Sequence, residues 1–399
     1  MNLPLFLNGP ALCGTNLVKA ILGVHPEIHL ESEPFVPLFR SLRNAILSSS
    51  KISLIDSFNP ESPMGEYYFL DERLEVMDLI QKGDLNIPFN DNELDELKKK
   101  IANRMHDYVP HLIQYIDLLD GRNYKELFTA ALDIVSMTQK NNKFKWRGWL
   151  DSWVEEFFPL LAREYSEARF ILIFRDPRAA IASSKSGSMN IITEKFTPEP
   201  LTLSYLRCWR KQLAFAKHFQ GMDLFKDRLH IICYEDLIEN ADNETKKMCE
   251  FLEIDFYAEM LDTNKFMGLG KDTGQWTPNS SFLVPKKGIY KNSLYRWKNS
   301  LSGDWIKFIE FVVGVDLKYF GYKRVYKKGS NHYNYDIYDI HNQEHFKCQG
   351  WRTDIGIPEI DLSLEIVRNQ CLEKKIDDEQ LIRKCFLFPE IYESLLRIM

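Results

Sequence analysis

The chain has 399 residues, of which 45% are hydrophobic and 27% charged, a composition typical of a soluble globular protein with one large domain and an appendage. Its net charge of -6 argues against a nucleic-acid surface, whereas a few local Arg and Lys residues suffice for a small anionic ligand. Seven cysteines without a CxxC pair argue against a disulfide framework or a zinc site.

The amino-terminal apolar run, residues 3–7, is too short for a signal-peptide core, and no basic residue precedes it. No apolar stretch reaches membrane-spanning length. We therefore expect a cytoplasmic protein with reduced thiols and no transmembrane segment.

The first predicted elements are a strand over 3–8, a loop and a helix over 15–24. The segment 9–16 has the GxxxxG spacing of a phosphate loop, whose backbone N–H groups and helix dipole can hold a phosphate. Thr15 stands where nucleoside triphosphatases have Lys, which argues against a kinase or ATPase. Taken alone, the loop is equally consistent with a plain tight turn.

From about 37 to 165 the pattern is mostly helical. Trp146, Trp149 and Trp153 follow at spacings of three and four, which predicts an aromatic stripe facing the core. Lys145 and Arg147 flank this stripe and could face a ligand.

The segment 170–184 carries the strongest local signal. Its apolar run at 170–174 predicts a strand buried on both faces, as in a parallel sheet. Asp176 and Pro177 then take the N-cap and first positions of a helix. A helix start at a sheet edge is an anion site, and Arg175 adds a bidentate donor. Ser183 lies about two helical turns further on, so we expect Arg175 and Ser183 to hold one phosphate.

The rest of the chain completes an α/β pattern. A helix over 203–219, a buried strand over 229–234 and a helix over 244–252 imply a parallel sheet. Both anion sites would lie at its carboxyl edge, which suits a nucleotide with phosphates at two places. The composition changes near residue 325, so we predict a domain over 1–325 and a small, mostly helical C-terminal appendage over 326–399.

These motifs, taken in order, resemble the PAPS-dependent sulfotransferases. In that family a loop close to GxxRSGTT holds the 5' end of the nucleotide, and a strand ending in RDPR, with Ser eight residues after the first Arg, holds its 3'-phosphate. The matching elements, within residues 3–320, are Gly14-Thr15, His25-Pro26, Glu33-Pro34-Phe35, Arg175-Asp176-Pro177-Arg178 with Ser183, Trp209, 234–237, 251–252, 295–297 and 301–302. The resemblance implies a P-loop-like three-layer α/β fold with a central parallel sheet and a helical insert over 37–140.

The resemblance also assigns cofactor contacts. Those expected to donate to the 5' phosphosulfate of PAPS are Gly14, Thr15, Asn16 and Leu17. Those expected at the 3'-phosphate are Arg175 and Ser183, together with a basic loop of Lys286, Lys287 and Gly288. The pattern of this loop is equally consistent with a solvated surface loop. Tyr234 would touch the nucleotide, and PAP would be the product.

Sulfuryl transfer needs a general base for the acceptor proton and donors for the charge on the leaving oxygen, but it requires no metal on these grounds. The resemblance makes Glu33 the best candidate base, with Glu31 and His29 as alternatives. A metal site built from these three residues and His25 is disfavoured, because no further ligands are evident.

Leu12 is the main departure from the family, which has Arg or Lys at this position. Either sulfuryl transfer is lost, or a cation from elsewhere in the chain replaces the missing one. We favour replacement, by Arg147 or Lys145, with Lys19 as a third candidate. The acceptor would be a hydroxyl or amine of a small molecule, lipid or glycan. The insert and the tail would build its pocket or a homodimer contact. The alternatives are a PAP-binding pseudoenzyme and an atypical P-loop kinase.

Overall fold

A five-stranded parallel sheet organises the part of the chain that the computed structural model describes, which is residues 2–50, 71–137, 144–184, 200–267, 289, 291, 294–326 and 358–399. The strands are β1 (Leu3–Asn8), β2 (Ile28–Ser32), β3 (Trp146–Leu150), β4 (Arg169–Phe174) and β5 (Leu229–Cys233). Their order is β2-β3-β1-β4-β5, and every neighbouring pair is parallel. The prediction of an α/β fold with a central parallel sheet is confirmed.

The described helices connect and flank these strands. They are α1 (Thr15–Leu22), α2 (Val36–Ser49), α3 (Asp71–Lys82), α4 (Asp91–Tyr108), α5 (Tyr124–Ser136), α6 (Phe158–Glu164), α7 (Pro177–Ser184), α8 (Pro200–Gln220), α9 (Tyr234–Glu239), α10 (Ala241–Leu252), α11 (Trp297–Ser300), α12 (Gly303–Val313), α13 (Pro358–Lys374), α14 (Glu379–Phe386) and α15 (Pro389–Ile398). Short 3-10 helices span Pro110–Leu118, Glu155–Phe157, Asp223–Phe225, Ala258–Leu261, Thr263–Lys265 and Asp316–Phe320. None of the described helices combines the length and the apolarity that a membrane crossing demands.

The sheet belongs to the first of two compact units, which comprises Met1–Ile55, Asp78–Phe174 and Met222–Lys291. Its central strands are almost fully buried, and their aromatic rings pack together. The ring of Phe6 lies 5.2 Å from that of Trp149 and 5.6 Å from that of Phe170. Full burial of one such side chain stabilises the fold by about 1.5–3 kcal/mol, so this cluster anchors the sheet.

The tryptophan-rich segment is a strand and not the predicted helical stripe. Trp146 and Trp149 lie in β3, and Trp153 follows it with φ 64°. All three are buried, so they do face the core. A side chain at Gly148 would meet the Leu5 carbonyl oxygen at 1.7 Å, so β3 approaches β1 this closely because the residue is glycine. A strand of 5 residues followed by a turn thus produced the helix-like spacing.

The second unit comprises Asp56–Met77, Arg175–Gly221 and Asn292–Met399. Helix α8 contacts α7, α12 and α15 within it. The ring of Phe388, just before α15, stacks on that of His218 in α8 at 3.9 Å. The predicted boundary between 325 and 326 therefore falls inside this unit, since the tail helices share a core with α8.

Candidate active site

The phosphate loop of the first unit joins β1 to α1. Gly14 caps the helix with φ 96° and ψ 14°, in the left-handed region that favours glycine. The amides of Thr15 and Asn16 lie in the first turn of α1, where N–H groups have no partner within the helix. The Leu17 amide instead donates to the Gly14 carbonyl oxygen at 3.0 Å. The amides of Thr15 and Asn16 are thus placed to bind an anion, while the amide of Leu17 is already used.

Tyr234, the first residue of α9, packs on this loop. A side chain at Gly14 would place its Cβ 2.3 Å from Tyr234 Cδ2, so the ring and the loop are in direct contact. The structure therefore brings together two predicted nucleotide contacts that are 220 residues apart in the sequence.

Leu12 lies in the same loop with φ 66°, a conformation that is uncommon for a residue with a side chain. Its side chain is apolar, and the loop segment 9–16 contains no Lys or Arg. Any cation that neutralises charge on the transferred group must therefore come from another element.

The second unit carries the Arg175 site, at the start of α7. Arg175 Nη1 donates to Ser183 Oγ at 3.1 Å, and both residues are buried. Ser183 Oγ donates to the Ala179 carbonyl oxygen at 2.9 Å, and Trp209 Nε1 donates to the Arg175 carbonyl oxygen at 3.0 Å. The structure thus brings Arg175 and Ser183 together, and it gives Trp209 a role in holding Arg175.

Arg178, the second arginine of the RDPR motif, is a structural residue of the same unit. Its guanidinium donates to both carboxylate oxygens of Asp176 and to Glu310 Oε1 at 2.7 Å. Burial opposes its charge, but these two carboxylates outweigh burial and raise the pKa of Arg178. We therefore assign Arg178 to stability and not to phosphate binding.

Glu33, the predicted base, follows β2 with φ 52°. Its amide donates to the Leu150 carbonyl oxygen at 2.7 Å, and Ser152 Oγ lies 3.5 Å from Oε1. Burial raises the pKa of the Glu33 carboxyl, and an ion pair with Arg104 opposes the rise. A carboxylate of raised pKa near a sheet edge has the character of a general base.

Arg104 is a site residue that sequence reasoning missed. It lies on α4, within the helical insert, and its Nε also donates to the Glu33 carbonyl oxygen at 3.1 Å. The Tyr108 ring supports the guanidinium, with Cζ 3.8 Å from the ring centroid. The capping box of Asn90 and Glu93 could have identified the start of the helix that carries Arg104. No pattern in the sequence linked Arg104 to Glu33.

Asp151, directly after β3, was also missed. Its side chain is fully buried, and burial followed by the Glu33 charge raises its pKa well above the usual range. The Trp149 indole and the Phe35 amide oppose this rise, yet neither carboxyl oxygen reaches hydrogen-bond geometry with a partner in the described residues. Two carboxyl groups with raised pKa therefore lie near each other at the ends of β2 and β3.

Glu31, the alternative base, is committed to an ion-pair cluster. Burial would raise its pKa, but His111 at 2.8 Å, His29 at 3.5 Å and the charge of Lys19 lower it to about 2. The pKa of Lys19 is lowered by burial, against the opposing effect of Glu31. Glu31 is thus a poor proton acceptor, and the structure places Lys19 beside Glu31.

The sequence disfavours a metal site built from His25, His29, Glu31 and Glu33, and the structure gives His25 another contact: its Nε2 lies 2.8 Å from the Asp255 carbonyl oxygen. Across the described residues, no group of three or more His, Cys, Asp or Glu side chains is arranged to hold a metal ion.

The structure does not support the prediction that Lys145 and Arg147 are catalytic cations. Lys145 precedes β3, and its Nζ donates to the Glu253 carbonyl oxygen at 2.8 Å. Arg147 pairs in register with Pro4, near the start of β1, and donates to Asp133 Oδ1 at 2.5 Å. Because the strands are parallel, both lie toward the amino edge of the sheet, whereas the phosphate loop and Glu33 follow carboxyl ends. Lys286, Lys287 and Gly288 lie outside the described residues.

Similarity to known proteins was found for most of the chain. The model of the Sulfotransferase family matches residues 4–259. A protein-tyrosine sulfotransferase of Drosophila melanogaster is 21% identical over 309 residues, which are 76% of this chain and 48% of the fly protein. A putative protein-tyrosine sulfotransferase of Caenorhabditis briggsae is 23% identical over 163 residues, which are 41% of this chain and 55% of that protein. The chain thus spans about half the length of the curated relatives it matches.

Two solved structures align with most of the chain at low sequence identity. The sulfotransferase domain from the curacin biosynthetic pathway aligns with a TM-score of 0.42 at 13% identity, over 76% of this chain and 93% of that one. Retinol dehydratase in complex with retinol and PAP aligns with a TM-score of 0.34 at 11% identity, over 79% and 81%.

Proposed function

Because the chain belongs to the Sulfotransferase family, we propose that it transfers the sulfuryl group of PAPS to an acceptor and releases PAP. The observation that carries the choice of donor is the bond between Arg175 and Ser183. A buried guanidinium beside a hydroxyl suits a doubly charged phosphate ester such as the 3'-phosphate. We assign the 5' phosphosulfate to the amides of Gly14, Thr15 and Asn16.

In the proposed reaction, Glu33 accepts the proton of the acceptor hydroxyl while the acceptor oxygen forms a bond to sulfur. The bond between sulfur and the bridging oxygen of PAPS breaks, and PAP leaves with the electron pair. The amides at the start of α1 and the dipole of that helix stabilise the charge that develops on the 5'-phosphate.

We propose a tyrosine hydroxyl of a protein as the acceptor, in place of the small molecule expected from the sequence. Both curated relatives are named for sulfation of protein tyrosine. Lipid and glycan acceptors have no corresponding support among these relatives.

A PAP-binding protein without transfer activity is the second candidate, and Leu12 is the observation that favours it. Calorimetry with PAP, ADP and ATP–magnesium, together with transfer of labelled PAPS to tyrosine-containing peptides, separates these functions. PAP binding with turnover supports the first candidate, and PAP binding without turnover on a broad peptide panel supports the second. Preference for ATP–magnesium would contradict both and favour a kinase.

The donor site is tested by Arg175→Met. Removal of a charged hydrogen-bond donor costs about 1.5–3 kcal/mol, so we expect PAP affinity to fall roughly 10- to 150-fold. Calorimetry with PAP measures the change, and Arg397→Met, an exposed arginine of the same unit, is the matched control. Unchanged PAP affinity in Arg175→Met would remove the basis for the proposed 3'-phosphate site.

A further inference from the structure

We propose that Arg104, contributed by the helical insert, is a positioning residue that keeps Glu33 ionised and correctly oriented, so that the insert sets the pH range of transfer. This inference rests on the proposed function, in which Glu33 is the general base. Arg104 acts through Glu33 and is not assigned a contact with the donor or the acceptor.

The geometry of the contact supports positioning. Arg104 Nη2 pairs with Glu33 Oε2, and Arg104 Nε donates to the carbonyl oxygen of the same residue at 3.1 Å. One planar guanidinium therefore holds both the side chain and the backbone of Glu33, which restricts the direction of the carboxylate. The backbone it holds has φ 52°, a conformation that neighbouring contacts must maintain.

The charges around Glu33 explain why it needs this partner. Arg104 and Tyr108 face it from α4, and Ser152 and Asp151 face it from the segment after β3. Among these groups Arg104 is the cation. Burial favours a protonated Glu33, whereas the charge of Arg104 and, after it, the Ser152 hydroxyl favour the carboxylate needed by a base.

Burial raises the pKa of Glu33, and the opposing effect of Arg104 has a measurable consequence. Without Arg104 the pKa of Glu33 rises further, and the base is protonated over a wider pH range. The acid limb of the rate profile then moves to higher pH, while the rate at high pH is retained. A purely structural ion pair would instead lower the rate at every pH or lower stability alone.

The experiment compares pH profiles of kcat and kcat/KM for the unmodified protein, Arg104→Met and Arg104→Lys, with labelled PAPS and a tyrosine-containing peptide. We expect the acid limb of Arg104→Met to move up by about one pH unit or more, which is about tenfold in rate at a fixed pH on that limb. Arg104→Lys keeps the cation and should recover most of the shift. Lys99→Met removes an exposed cation of α4 and should shift nothing.

An infrared titration of the Glu33 carboxyl band, assigned by its loss in Glu33→Gln, gives a readout independent of turnover. A higher midpoint of the Glu33 titration in Arg104→Met supports the inference. Failure of the proposed function is a separate outcome, which would show as no PAP binding and no transfer by the unmodified protein. An unshifted midpoint and an unshifted acid limb in Arg104→Met would overturn the inference while leaving the proposed function intact.

Discussion

The buried Asp151 carboxyl links the stability of the first unit to pH. Its pKa in the folded protein lies well above 3.8, because burial and Glu33 disfavour the charge. At pH values between the unfolded and the folded pKa, the folded chain keeps a proton that the unfolded chain has lost. The free energy of unfolding therefore falls by about 1.4 kcal/mol for each unit that the pH rises. The amide of Asp151→Asn does not titrate, so the variant does not lose stability in this way. We therefore expect the stability of Asp151→Asn, relative to the unmodified protein, to increase as pH rises above about 4.

Urea unfolding at several pH values, followed by circular dichroism, measures this difference. Asp95→Asn makes the same chemical change at an exposed position of α4 and should show no such growth. If Asp151→Asn is destabilised equally at all pH values, the carboxyl must be ionised in the folded protein, contrary to the raised pKa.

Single residues differ in how far the sequence could predict them. Arg175 and Ser183 were predictable because they lie eight residues apart, and the regular rise of a helix brings them together. Arg104 meets Glu33 across 71 residues, and its contact depends on how the insert folds back. Asp151 carried no local signal in the sequence, because its burial arises from packing around β2 and β3.

Secondary-structure elements were predicted best where the local signal was strong. The run at 170–174 was sufficient to identify β4, because a strand buried on both faces has few polar residues. β3 was missed because its register depends on Gly148, whose missing side chain lets the Leu5 backbone approach. That requirement comes from the neighbouring strand and leaves no periodic pattern in the sequence.

The attachment of α13 to α8 depends on a buried carboxylate. Glu365 accepts from Arg207 at 2.7 Å and from Arg210 at 2.7 and 2.9 Å. Burial would raise its pKa, but these arginines lower it to about 2. Glu365→Gln leaves two buried guanidinium groups without their anion, so we expect a loss of about 3–5 kcal/mol in the free energy of unfolding.

Urea unfolding measures that loss, and limited proteolysis reports whether α13 detaches first. Glu393→Gln, at an exposed position of α15, is the control and should stay within about 0.5 kcal/mol of the unmodified protein. A similarly small effect in Glu365→Gln would mean that the arginines find other partners and that apolar packing holds the tail.

For the whole molecule, the sequence predicted a large domain followed by an appendage, whereas the structure has two units that each draw on separate parts of the chain. The change in composition near residue 325 marked a real change in sequence character. It did not mark a structural boundary, because contacts of the tail with α8, such as Phe388 on His218, join residues 170 positions apart. The cytoplasmic location and the homodimer remain predictions.

Acid should weaken both units over the same pH range. Glu31 in the first unit and Glu365 in the second each have a pKa near 2, against 4.5 for an ordinary glutamate. A lowered pKa stabilises the fold above 4.5, and that contribution is lost as pH falls toward 2. The slope is about 1.4 kcal/mol per pH unit for each group.

We therefore expect the free energy of unfolding to fall steeply as pH decreases across this range. Glu31→Gln should remove about half of the slope that Glu31 and Glu365 contribute together. The variant should be less stable than the unmodified protein at neutral pH, because Lys19 and His111 lose their anion, and the two should converge in acid. Urea unfolding between pH 2 and 7 tests this, with Glu393→Gln as the exposed control. Parallel curves for Glu31→Gln and the unmodified protein would show that Glu31 keeps an ordinary pKa, and Glu31 would then again compete with Glu33 as the base.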